Sequence, residues 1–295
     1  MALELRNAHG ERVTFSDVGA AIVEIFVRDG SGEIGNVAMA AGGSAGRVVG
    51  RFANRIANGD LPLDGRTYKL LTNEGTTTLH GGPDGFSKRT WSVEDGATHT
   101  SLTFRIESAD GDQGFPGAVT CRVTYTFDDD SALRIDYEAT TTAPTVINLL
   151  NHAYFNLTGD PSASIESVLL QIESEAYLPV DAALIPTGEI LPLAGTDRDF
   201  RDVRAIGSTP IDCTYVLEGQ GLLQAAQAFD VRSGRSLVVE TTQPAIQLYT
   251  GKPGAFALET EHYPDAPHHS NFPSTELTPE QPFHSTTIYR FSATR

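Results

Sequence analysis

The chain has 295 residues, 40% of them apolar, and a formal net charge of −17. This composition argues against disorder, and an acidic chain without a basic block argues against nucleic acid or anionic membrane as a partner. No apolar run is long enough to span a bilayer, and Met1–Gly10 has no signal-peptide core, so the cytoplasm is the expected location.

Taken from the N-terminus, the first clear element is a β-hairpin over Leu61–Leu71, centred on Asp64-Gly65. Ser101–Ser108, Ala118–Phe127 and Leu133–Thr141 then alternate polar and apolar residues, with Asp110-Gly111 and Asp128-Asp129-Asp130 as the intervening turns. Val168–Ile172 reads as a further strand, and short helical turns are expected near Phe200–Ile206. A second hairpin joins Phe229-Asp230-Val231 to Leu237-Val238-Val239 through Ser233-Gly234, and Leu237–Glu240, Ala245–Tyr249 and Thr286–Phe291 complete the strand series. Sustained helical periodicity, repeats and linkers are missing, so the expected fold is all-β, a large antiparallel β-sandwich or barrel in one domain over residues 1–295. The two cysteines, Cys121 and Cys213, lie far apart and read as small hydrophobes.

Three segments bring chemistry into this β framework. Asn151-His152-Ala153-Tyr154-Phe155-Asn156 sets an imidazole among amides and aromatics, and Leu258-Glu259-Thr260-Glu261-His262 sets a carboxylate after an apolar run. His80 precedes Gly81-Gly82, where small residues let a backbone approach a ligand. A lone histidine is more often structural than catalytic, so the weight rests on the combination. Gly50-Arg51-Phe52-Ala53-Asn54-Arg55 lacks the Gly-Lys-Ser/Thr ending of a phosphate loop, and Asn54 with Arg55 makes a compact donor pair for hydroxyls. His262, Asp265, His268 and His269 lack a spacing with established metal geometry, and Pro264 and Pro267 break any helix that would align them, so no metal is expected. Glu259 with Asp212 leaves a glycoside hydrolase open, whereas no Gly-x-Ser-x-Gly elbow supports a serine hydrolase.

In order along the chain, these segments resemble the aldose 1-epimerase family. The resemblance is carried by Gly50–Ala57, Leu79-His80-Gly81-Gly82, Asp110–Gly117, Asn151–Leu157, Leu178–Asp181 through Ile185–Gly188, Thr241–Pro244 through Gln247–Gly251, and Leu258-Glu259-Thr260. It implies the mutarotase supersandwich, a large antiparallel β-sandwich, with no metal or organic cofactor. It also implies His152 as general acid, Glu259 as general base and His80 assisting at the ring oxygen, with Asn54, Arg55, Asp212 and Gln247 holding sugar hydroxyls. Tyr154, Phe155 and Tyr249 are candidates for stacking on a sugar face. This chain departs from the family in having Glu261 where a glutamine is usual, and in short segments at Ala41–Gly46 and Gly251–Phe256 that could border the pocket.

The expected activity is therefore the interconversion of α and β anomers of a free hexose such as glucose or galactose, by a monomer or homodimer. A non-catalytic sugar-binding protein, a glycoside hydrolase and a sugar-phosphate 1-epimerase are the alternatives. The acid should begin protonated and the base ionised, which a carboxylate beside the imidazole would favour.

Overall fold

The computed structural model describes residues 3–294. Its largest element is a nine-stranded antiparallel sheet. The long strands Ser101–Ser108, Val119–Phe127, Ala132–Thr141, Phe283–Ala293 and Arg235–Thr241 lie side by side at its centre. Strict alternation builds this centre: in Val119–Phe127 every second residue, from Val119 to Phe127, is buried, and the residues between are half-exposed. A six-stranded sheet carries Tyr154–Phe155, Ala255–Glu261, Ala245–Lys252, Asp212–Val216, Ala176–Leu178 and Leu191–Pro192, in that order. A four-stranded sheet formed by residues 4–36 completes the larger layers. One continuous hydrophobic cluster links them, from Val13 and Ile25 through Phe104, Tyr125 and Ile135 to Leu248, Leu258 and Tyr289. This is the large antiparallel β-sandwich expected from the sequence.

Both hairpins form. In the first, Asp60–Leu63 pairs with Arg66–Lys69, and Asp64 and Gly65 both take positive φ, 51° and 69°, as a two-residue turn compatible with strand twist requires. In the second, Leu223–Phe229 pairs with Arg235–Thr241. Phe200–Ile206 is not helical. Its Arg204–Ala205 pairs with Leu169–Leu170 as the edge of the nine-stranded sheet, and the buried Phe200 and Ile206 anchor this short stretch. Among the described residues the helices are short 3₁₀ turns, as at Phe86–Lys88 and Ala266–His268.

The six-stranded sheet sets out the site in rows. Glu259 stands opposite Gln247, and Gln247 opposite Thr214. In the adjacent row Tyr154 faces Ala257, Ala257 faces Tyr249 and Tyr249 faces Asp212. Period-2 geometry brings these two rows to the same face.

Candidate active site

All seven residues singled out from the sequence, Asn54, Arg55, His80, His152, Asp212, Gln247 and Glu259, line one concave pocket of about 280 Å³, together with Tyr154, Tyr249, Leu79 and Leu184. That volume lies near the lower end for ligand clefts, about 300 Å³, and suits a small polar ligand. A larger groove of about 440 Å³, around Asp29, Asp129 and Asp130, holds none of these residues.

Two backbone clasps fix the histidines. His152 follows the Leu150–Asn151 strand, which pairs with Val48–Val49; its N–H donates to Arg47 O at 2.9 Å and its carbonyl accepts from Gly46 N–H at 2.8 Å. His80 and Asn54 clasp each other: His80 N–H donates to Asn54 O at 2.9 Å, and Asn54 N–H donates to His80 Nδ1 at 3.1 Å. Both residues take left-handed backbone, with φ of 53° and 62°. Gly81 serves this turn rather than a ligand. At φ 80°, any Cβ there would collide with the Gly50 carbonyl oxygen, so the close approach expected here is backbone against backbone.

Arg51 secures the same loop from beneath. Its guanidinium is buried and donates to Pro116 O, Gly117 O and Ala109 O, each at 2.8 Å. The Asp110–Gly117 turn is therefore a receptacle for Arg51, outside the pocket lining. Arg55, by contrast, reaches the pocket while its guanidinium makes two bonds to the Glu74 carboxylate, at 2.7 and 3.0 Å.

His152 Nε2 lies 3.5 Å from Glu259 Oε2. The His152 ring stacks on Tyr154 at 4.9 Å between centroids, and His80 meets it edge-on at 5.5 Å. Tyr249 stands edge-on to Tyr154 at 6.2 Å. Asp212 accepts a hydrogen bond from the Gln247 amide, whose oxygen in turn accepts from the Thr214 hydroxyl. Thr214 and Leu184 went unnamed in the sequence. The alternation Asp212-Cys213-Thr214 gave a usable signal for Thr214, whereas nothing local marks Leu184, which sits in a loop at φ 60°. Phe155 points into the core and is not part of the lining.

Burial dominates the electrostatics. It lowers His152 to about 4, with Lys252 adding to the effect, and lowers His80 to about 3, with His152 and Arg55 adding to it. It also raises Glu259 well above the ordinary carboxylate range, assisted by the charges of Glu261 and Asp212. Burial of both groups thus favours a neutral imidazole beside a protonated carboxyl over the imidazolium–carboxylate pair expected from the sequence. Desolvation is the largest cause of both shifts.

The departures from the family pattern take definite places. Glu261 is fully buried and its Oε1 accepts from Asn54 Nδ2 at 3.0 Å. Ala41 and Ala45 pack behind Tyr154 and Tyr249, and the 251–256 turn lies outside the pocket lining, so both short segments support the aromatic wall or lie apart from it. His262, Asp265, His268 and His269 act locally. Asp265 accepts from Ala57 N–H at 2.9 Å and from His268 at 2.7 Å, and His262 N–H donates to Asn148 at 2.9 Å. Among the described residues no group of three or more His, Cys, Asp or Glu is arranged to hold a metal ion.

The fold and site define an antiparallel β-sandwich with a histidine-and-carboxylate pocket on its six-stranded sheet, and comparison with known proteins narrows this class. The aldose 1-epimerase family model matches residues 1–290. Galactose mutarotase of Sus scrofa is 38% identical over 95% of this chain and 91% of its own, and aldose 1-epimerase of Escherichia coli is 34% identical over 99% and 95%. The crystal structure of a GalM/aldose epimerase homologue from C. elegans superposes with a TM-score of 0.93 at 29% identity, covering 100% of this chain and 99% of that one. The chain belongs to the aldose 1-epimerase family.

Proposed function

We propose that this protein interconverts the α and β anomers of a free hexose, glucose or galactose, by acid/base ring opening and closure. The observation that carries the reading is the 3.5 Å approach of His152 Nε2 to Glu259 Oε2 inside a concave, largely polar pocket of monosaccharide size. Ring opening needs one group to take the proton of the anomeric hydroxyl while another protonates the ring oxygen. Rotation about C1–C2 and closure with the roles reversed then give the other anomer.

His152 and Glu259 need only one proton between them for this cycle. With the proton on His152, Glu259 is the base and His152 the acid. Once the ring has opened, Glu259 holds the proton and His152 is neutral, the distribution that burial of the two groups favours. Each positioned acid or base contributes about 10²–10⁴-fold, so the two supply roughly 5–11 kcal/mol. His80, kept neutral by burial, serves as a hydrogen-bond donor beside the ring oxygen.

A phosphorylated sugar fits less well. Arg55 is the one cationic side chain in the lining, and Glu74 already engages it through two bonds. A hydrolase would use Glu259 and Asp212 as its pair, but Asp212 is held by the Gln247 amide as part of the wall. A binding protein without turnover would have no use for a buried imidazole and carboxyl in mutual contact. Freshly dissolved pure anomers, followed by polarimetry alongside an aryl glycoside, test the reading. Faster approach to the same final rotation without aryl release supports it, whereas glycoside cleavage, or sugar binding with no acceleration, refutes it.

A further inference from the structure

Glu261 is a buried carboxyl that the acid/base cycle does not use. It follows Glu259 by two positions on the Ala255–Glu261 strand, so it points to the same face, one row further along the sheet. Its Oε1 takes the Asn54 amide at 3.0 Å, while its Oε2 is buried without a partner. Asn54 is the residue whose backbone N–H reaches His80 Nδ1 at 3.1 Å from left-handed backbone. An Nδ1 that accepts a hydrogen bond cannot carry the proton of a neutral imidazole, so that proton sits on Nε2.

We propose that Glu261 is a positioning residue: by clamping the Asn54 amide it holds the Asn54 N–H on His80 Nδ1, which keeps His80 an Nε2–H donor aimed into the pocket. The catalytic part of this inference rests on the epimerase reading of the site, whereas the clamp does not. A second consequence follows from the row geometry. A negative charge on Glu261 opposes one on Glu259, and Glu259 feels that repulsion. The groups facing Glu261 are Glu259 on its own strand, Asp212 from the Asp212–Val216 strand, Arg55 from the Arg55–Ile56 strand with Asn54 just before it, and Asn148. Arg55 is the only cation among them, and it acts in the opposite sense to Asp212. Burial holds Glu261 up to about 8, so its charge appears as pH rises through that value.

Two variants separate the clamp from the charge. Glu261→Gln keeps an oxygen for the Asn54 amide and removes the charge; Glu261→Leu removes both. Imidazole ¹⁵N shifts, recorded on the intact protein without sugar and assigned with His80→Gln, report the His80 tautomer. The expected result is Nε2–H in the parent and in Glu261→Gln, with an Nδ1–H population appearing in Glu261→Leu. In Glu261→Gln the alkaline limb of kcat/KM, where Glu259 gives up its proton, should move to lower pH by about one unit. In Glu261→Leu, kcat at neutral pH should fall about tenfold or more, since an oriented donor is lost. If Glu261→Leu does not fold, Asn54→Ala cuts the same clamp, and the same shifts decide. A His80 tautomer unchanged in the clamp-breaking variant overturns the clamp, and an unmoved alkaline limb in Glu261→Gln overturns the charge coupling. Absence of mutarotation in the parent would instead defeat the epimerase reading, leaving the tautomer result to stand alone.

Discussion

Replacing Glu261 by glutamine should stabilise the protein, and only above a definite pH. The folded state holds this fully buried carboxyl up to about 8, whereas an unfolded chain titrates it near the ordinary 4.5. Below about 4.5 both states carry the proton and the residue costs nothing through linkage. Between 4.5 and about 8 the unfolded chain ionises while the folded protein cannot, so stability falls as pH rises; above about 8 the penalty is complete. At about 1.4 kcal/mol per tenfold change in proton affinity, the full interval corresponds to an upper bound of about 5 kcal/mol. Relaxation and an effective dielectric near 20 reduce a realistic gain to about 1–3 kcal/mol. The amide retains the oxygen that Asn54 needs, so little is lost in exchange. Thermal melts across the range provide the assay. Parent and variant should melt together near pH 4, and the variant should melt about 2–6 °C higher near pH 9. A gap of the same size at both pH values, or a variant less stable at alkaline pH, would refute the linkage argument.

Arg51→Met should cost about 3 kcal/mol or more, because two buried carbonyls, Pro116 O and Gly117 O, and the part-buried Ala109 O lose their donor; chemical denaturation would measure it, and a loss below about 1 kcal/mol would contradict the receptacle role. Gly81→Ala combines strain at φ 80° with a collision against the Gly50 carbonyl, and should lower the melting temperature by several degrees and disturb the His80 turn. The pH profile of kcat/KM should be bell-shaped. Activity falls as pH drops through about 4, where His152 takes up a second proton for the pair, and falls again at alkaline pH, where Glu259 loses the last one. A profile flat from acid to alkaline pH would contradict the single-proton pair.

How far the sequence could be read depended on exposure. Strands with one wet face, such as Ser101–Ser108 and Val119–Phe127, announced themselves by alternation, and their bounds agree within a residue. The four-stranded sheet of residues 4–36 leaves little trace in the sequence: two of its strands have only three residues, and a bulge between Thr14 and Phe15 breaks the pairing of Arg12–Ser16 with Ala21–Arg28. Arg204–Ala205 resembles part of a helical turn in sequence because two residues at a sheet edge carry no period. At the site, the seven residues gathered into one pocket were found through the family motifs rather than through any pattern of hydropathy. Glu261 shows why. Its strand is buried on both faces: Thr260 bonds Thr287 at 2.6 Å on the far side, while Glu259 and Glu261 face the pocket side. Three polar residues in a row erase the alternation that would have shown where the second carboxyl points. The sequence also leaves the protonation of the His152–Glu259 pair unmarked, because desolvation is a property of the folded surroundings and has no local signature.

The central claim is that His152 and Glu259 share one proton and pass it through a hexose. Polarimetry on freshly dissolved α-galactose and α-glucose, comparing the parent with His152→Asn and Glu259→Gln, tests it most directly. The account predicts rapid equilibration by the parent and a loss of about 10²–10⁴-fold in kcat for each variant, with melting behaviour showing the fold intact. A parent that leaves the spontaneous rate unchanged, or either variant equilibrating sugar near the parental rate, would contradict it.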